Sequence, residues 1–141
     1  MIKITGTSLD SVGNVIGEWF SIKTGLNVAG SYSAIGWLKD DKLVAAALFN
    51  DYTKFSIEVH FFGPGFLNRK TIGDIMKYVF LQIGCSTLIA KVDRKGDEFK
   101  EFVARIGFKY LCVIPKYFGT TKDKDAIMFY ASQDMVKRWI K

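Results

Sequence analysis

The sequence is poor in histidine, cysteine and proline. Its 141 residues include one histidine, His60, two cysteines, Cys85 and Cys112, and two prolines, Pro64 and Pro115. A His/Cys zinc centre needs about four such ligands at short spacings, so a lone histidine without a CxxC pair argues against one, and no metal is expected. Both cysteines lie in apolar runs, which predicts buried free thiols and a reducing compartment. Without a Pro-rich linker, low-complexity tract or internal repeat, residues 1–141 are expected to form one domain. No apolar run reaches the roughly 18 residues of a membrane span. The N-terminus, Met1-Ile2-Lys3-Ile4-Thr5, opens as an amphipathic strand rather than a leader. A soluble cytoplasmic protein with no membrane partner is the expectation.

What the chain does have is apolar mass and a lopsided charge. Hydrophobic residues make up 49%, which argues against disorder and suffices for a core. The net charge is +6, but residues 1–67 hold 5 Lys/Arg against 6 Asp/Glu (net −1), whereas residues 68–141 hold 15 against 8 (net +7). A basic half suits an anionic ligand, although a solvated basic surface has the same composition. The basic residues alternate with acids and form no nucleic-acid-binding motif, so a nucleic-acid partner ranks below the readings that follow.

Periodicity orders the elements. Ile2–Thr5 alternates as a strand. Val12, Val15, Ile16, Trp19 and Phe20 predict a helix over about Leu9–Thr24, capped by Ser8 or Asp10 and ended by Gly25. Gly13 and Gly17 either weaken that helix or let another backbone come close. Residues 26–33 read as loop or short helix. Ser33–Lys39 and Lys42–Asn50 read as strands around an Asp40-Asp41 turn. In the strand at 54–62, Phe55, Ile57, Val59 and Phe61 face one side; Ser56, Glu58, His60 and Phe62 face the other.

A stripe of Ile72, Ile75, Met76, Val79, Phe80 and Ile83 predicts a helix over about Arg69–Ile83, stopped by Gly84. Then come strand Thr87–Asp93, a helix over about Asp97–Ile106 that buries Phe99, Phe102, Val103 and Ile106, strands Phe108–Ile114 and Ala126–Ser132, and an amphipathic segment Asp134–Ile140. This order predicts an α/β (α+β) fold with a mixed, mostly antiparallel central sheet of about seven strands and helices on both faces. Between the 54–62 strand and its helix lies Gly63-Pro64-Gly65-Phe66, then Asn68-Arg69-Lys70-Thr71-Ile72-Gly73. A strand that delivers a basic turn to a helix N-terminus is an anion site, because the first helical amides lack intrahelical partners.

With this element order, three stretches make the chain resemble the GNAT superfamily of N-acetyltransferases over nearly its whole length. Val59 to Gly73, through Pro64, Phe66, Arg69, Lys70, Ile72 and Gly73, is similar to the family's strand and Q/R-x-x-G-x-G/A turn. The register is fixed either by Gly73 or, one residue back, by Pro64 and Phe66. Ala90-Lys91-Val92 and a helix ending Arg105-Ile106-Gly107-Phe108 are similar to the next strand, helix and terminal GF. Met128-Phe129-Tyr130 is similar to the closing strand. The chain departs from the family with Asn68 for Gln/Arg, Thr71 for the central Gly, Gly96 for an Asn and Val103 for the Tyr that serves as general acid.

The resemblance implies acetyl coenzyme A as co-substrate. It assigns Asn68, Arg69, Lys70, Thr71, Ile72 and Gly73 to the pyrophosphate, chiefly through backbone amides, and His60, Phe61 and Phe62, through main-chain atoms, to the pantetheine arm where the fourth strand splays from the fifth. Thr71 fits there only with ordinary φ and a side chain turned away. Ala90, Lys91 and Val92 would lie across the splay, nearest the acetyl carbonyl. An amine is nucleophilic only when neutral, so a base is required; Glu58 is the candidate, with His60 beside it on the same face. Tyr110, Tyr117 and Tyr130 are available as proton donors in place of the missing Tyr. The acceptor would be a small-molecule or peptide amine entering between the first helix and the Pro115–Asp125 loop, with Asp10, Glu18 and Asp51 near the groove. An exposed strand at the C-terminal end would permit pairing of two copies. The alternative is a GNAT-like module that holds coenzyme A or a protein partner without transferring anything.

Overall fold

The computed structural model describes residues 1–93, 97–121 and 124–141; Gly96 and the side chain of Phe99 lie outside what is described. The elements are β1 (Ile2–Thr7), α1 (Ser11–Thr24), β2 (Ser33–Lys39), β3 (Lys42–Asn50), β4 (Ser56–Phe62), α2 (Arg69–Met76), a π-helical segment (Lys77–Gln82), β5 (Thr87–Asp93), α3 (Asp97–Ile106), β6 (Lys109–Ile114), β7 (Ala126–Ala131) and a 3-10 segment (Asp134–Trp139). Among the described residues, seven strands form one sheet in the order β1-β2-β3-β4-β5-β7-β6. Only β4 and β5 pair in parallel, with α2 as their crossover. The Asp40-Asp41 turn has both residues at positive φ (53° and 63°), the geometry that lets a two-residue hairpin follow the twist of β2 and β3.

Alternation along the strands splits the interior in two. Trp37, Phe49, Ile57, Leu88 and Phe129 pack with Ile72, Met76, Val79, Val103 and Ile106 beneath α2 and α3. On the opposite face Ala34, Ala46 and Leu48 pack with Ile16 and Phe20 of α1, with Trp19 and Phe62 at the edge. Helices therefore cover both faces.

Four local expectations differ from the structure. Val12 and Val15 are exposed, because α1 turns Gly13, Ile16, Gly17 and Phe20 inward. At Gly13 a Cβ would lie 1.9 Å from Thr7 O, so glycine lets helix and β1 meet backbone to backbone and thereby fixes the helix rotation. The helix from Arg69 changes to π geometry at Lys77, where Tyr78 stacks on Phe49 (4.8 Å) and donates to Ser33 Oγ (2.6 Å). Phe55 precedes β4 and is exposed. Cys85 is buried, but Cys112 is only half-buried. The exposed C-terminal edge is β6, since β7 lies between β5 and β6. No helix among the described residues is long and apolar enough to cross a membrane.

Candidate active site

The parallel pairing of β4 and β5 stops early. Their register runs from Ser56–Thr87 to Val59–Ala90, and beyond it the two strands no longer pair with each other, although β4 stays on β3 through Phe62 and β5 on β7 through Asp93. A cleft occupies the gap. Its walls come from both sides of the sheet: Phe20 and His60 from the α1 side, Phe61, Ile72 and Val103 from the other. The cleft therefore passes between the parted strands, where a narrow chain-like ligand can reach unpaired backbone. A second cleft lies between the α1 side of the sheet and Tyr117 and Phe118, with Leu26, Tyr32, Asn50 and His60 also in its lining. His60 lines both clefts.

At this junction sits a cluster of polar side chains on the α1 face of β4 and β5. Glu58 is 3% exposed. Lys91 Nζ lies 3.0 Å from its Oε1 and donates to its Oε2 at 3.2 Å. The same ammonium meets Tyr117 OH at 3.1 Å. His60 Nε2 is 3.6 Å from Glu58 Oε1 and 3.2 Å from Asn50 Oδ1. With Asn50 Oδ1 as acceptor, Nε2 carries the proton and Nδ1 keeps the lone pair. Burial pushes the Glu58 carboxyl above the usual carboxylate range; Lys91 pulls it partly back and Asp51 adds to the rise. Burial also holds the His60 imidazole below its ordinary value, and the neighbouring Lys91 cation deepens the shift, against Asp51. For Lys91 burial acts downward, but Tyr117 and Glu58 outweigh it and keep the ammonium above its ordinary value. The result is an ion pair beside a neutral imidazole.

Of the residues predicted from sequence, the structure brings Glu58 and His60 together and lines the first cleft with Phe61 and Ile72. The ring of Phe62 packs on Trp19 (5.9 Å), so any contact of this residue with the cleft is through its main chain. At the α2 N-terminus, which Leu67 and Ile72 place at the cleft wall, Thr71 is fully buried, and its Oγ1 donates to Phe66 O (2.6 Å) while accepting from Asn68 N (3.0 Å). Asn68 Oδ1 accepts from Lys70 N (3.0 Å) and Thr71 N (3.1 Å), and Ile72 N donates to Asn68 O (2.9 Å). The amides of Asn68, Lys70, Thr71 and Ile72, expected to face a phosphate, are thus satisfied within the turn by a capping box. Lys70 leans toward Asp74 (3.8 Å); Gly73 lies against Trp139 O. Asp10, expected near the groove, caps α1 through Gly13 N (2.7 Å) and Thr7 N (3.0 Å).

Sequence reasoning missed the side chains of Lys91, Asn50 and Tyr117 as parts of one cluster. Lys91 carried a signal, because a lysine in the middle of Leu88-Ile89-Ala90-Lys91-Val92 breaks an apolar inner strand and needs a partner. Asn50 carried none, because only the β3–β4 register brings it in, and Tyr117 stood in the sequence only as one of three tyrosines available as proton donors.

No family model and no curated protein matches the sequence. Among solved structures, a mutant of the spermidine N-acetyltransferase SpeG from Vibrio cholerae superposes with a TM-score of 0.66 at 16% identity, over 86% of this chain and 76% of that one. The N-acetyltransferase PseH from Campylobacter jejuni superposes with a TM-score of 0.64 at 17% identity, over 94% of this chain and 99% of that one. PseH is also known in complex with acetyl coenzyme A. The chain has the GNAT acyltransferase fold.

Proposed function

We propose that residues 1–141 act as one catalytic domain, an acetyl-coenzyme A-dependent N-acetyltransferase for a primary amine. The observation that carries this reading is the parting of β4 and β5 after Val59 and Ala90, with Phe20, Leu26, His60 and Phe118 lining both clefts and His60 the titratable one among them. The thioester arm enters between the strands, the amine occupies the second cleft, and the two meet at His60. Arg69 and Lys70 attract the pyrophosphate at the cleft mouth. His60, held neutral by burial, takes the proton from the amine, and Glu58 beside it stabilises the imidazolium that forms. The amine nitrogen attacks the carbonyl carbon, the C–S bond breaks, and the thiolate leaves. A second reading, a module that binds coenzyme A without transfer, is favoured by Val103, a 4%-exposed side chain with no proton to give in the wall of the first cleft.

The test is calorimetric titration with acetyl coenzyme A, followed by thiol release across a panel of primary amines. Micromolar binding, about −8 kcal/mol, with amine-dependent release that His60→Gln abolishes, is expected. Binding without release from any amine would select the module, and no binding would exclude both.

A further inference from the structure

The acceptor end of the proposed site already contains an amine. Lys91 directly follows Ala90, the last residue of β5 paired with β4, so His60 and Lys91 are the first residues at the apex of the wedge where the two strands no longer pair with each other. Anything threaded between the strands ends against them, and both line the cleft. The Lys91 side chain is 13% exposed, and its Nζ is held between the Glu58 carboxylate (3.0 and 3.2 Å) and Tyr117 OH (3.1 Å), above the tyrosine ring (4.7 Å from its centroid). Glu58 Oε1 is buried and accepts no hydrogen bond of good geometry, which leaves a lone pair free beside the ammonium.

From this juxtaposition we infer that Lys91 is an acetylation site of the protein itself, modified in cis by the acyl thioester bound between β4 and β5. This rests on the acyltransferase reading above. The step balances without another reagent. Lys91 Nζ passes a proton to Glu58 and attacks the thioester carbonyl; the N–C bond forms, the C–S bond breaks, and the thiolate takes up one proton as coenzyme A leaves. The product is a neutral acetyl-lysine, and Glu58 loses its cation. Exposed lysines such as Lys3 and Lys54 line neither cleft and serve as internal controls for uncatalysed acylation.

The experiment incubates the full chain with acetyl coenzyme A labelled in the acetyl group, without added amine, and follows each lysine by peptide mass spectrometry. Binding of the same cofactor is measured in parallel by calorimetry. The expected result is labelling of Lys91 at least about tenfold faster than Lys3 or Lys54, a rate that scales with bound rather than total protein, and a fall to their level in urea. Glu58→Gln should slow Lys91 labelling while the control lysines keep their rates, and Lys91→Arg, which preserves the cation, should remove only that peptide's label. If the cofactor binds but Lys91 is labelled no faster than the controls, self-acetylation is overturned and the acyltransferase reading stands. If it does not bind, both fall.

Discussion

At the scale of the residue, the decisive group is His60, because of the four residues that border both clefts it alone can take up a proton, and its surroundings hold it neutral. A depressed imidazole pKa has a defined sign in stability. The folded protein resists protonation, so the contribution is present above about pH 6.5 and is lost as pH falls through that value toward the depressed one. Wild-type protein should therefore lose melting temperature between about pH 7.5 and 5.5 more steeply than His60→Gln. The raised Glu58 pKa works the other way, gaining stability as pH falls, but Glu58 is present in both proteins and cancels in the difference. In activity, His60→Gln should lower kcat about 10²–10⁴-fold with an unchanged acetyl coenzyme A Kd. An equal loss in both quantities would make His60 a wall of the cofactor cleft and nothing more.

Glu58 and His60 were legible as a pair because alternation in a strand puts i and i+2 on one face. Their partners were not. Whether Glu58 is a free base or half of an ion pair depends on Lys91, which lies 33 residues away and reaches it only because β4 and β5 run parallel in register. Local pattern reports which face a side chain takes; it does not report the cross-strand neighbour that sets its charge.

At the scale of the element, the α2 N-terminus shows the same limit. The strand-turn-helix pattern was readable, and Asn68 and Thr71 do sit at its start, but together they cap the helix with the amides a phosphate would need. Cap and ligand therefore compete. Asn68→Ala should cost about 1 kcal/mol of stability and at the same time tighten acetyl coenzyme A binding, because Lys70 N and Thr71 N are released. Weaker binding in that variant would mean that the Asn68 amide itself holds the phosphate. The first helix gives a second case. Its apolar stripe predicted Val12 and Val15 inside, yet the glycines outweigh the aliphatics: backbone contact at Gly13 leaves no room to rotate those side chains inward. Gly13→Ala should destabilise by about 3 kcal/mol, whereas Gly17→Ala, which meets only the tip of Tyr32, should cost about 1 kcal/mol. Thermal melts of the two variants check the ranking, and equal costs would remove the close approach as the cause of the helix rotation.

At the scale of the whole molecule, the sheet separates two kinds of charge. The first 67 residues are nearly neutral and build β1 to β4; the remainder carries +7 and begins at the turn beside the first cleft. Lys54 precedes β4, and a strand of 7 residues at about 3.3 Å each sets it roughly 20 Å from the turn at the other end. That exceeds the screening length of about 10 Å at 0.1 M salt. Lys54 should therefore contribute little to holding an anion at the α2 N-terminus, whereas Arg69 and Lys70 lie within reach. Raising salt from about 0.05 to 0.5 M should weaken acetyl coenzyme A binding roughly five- to tenfold. Arg69→Ala should flatten that dependence, and Lys54→Ala should leave it unchanged. If Lys54→Ala flattened it equally, the attraction would come from the net charge of the whole chain, and the basic turn after β4 would have no special part in binding.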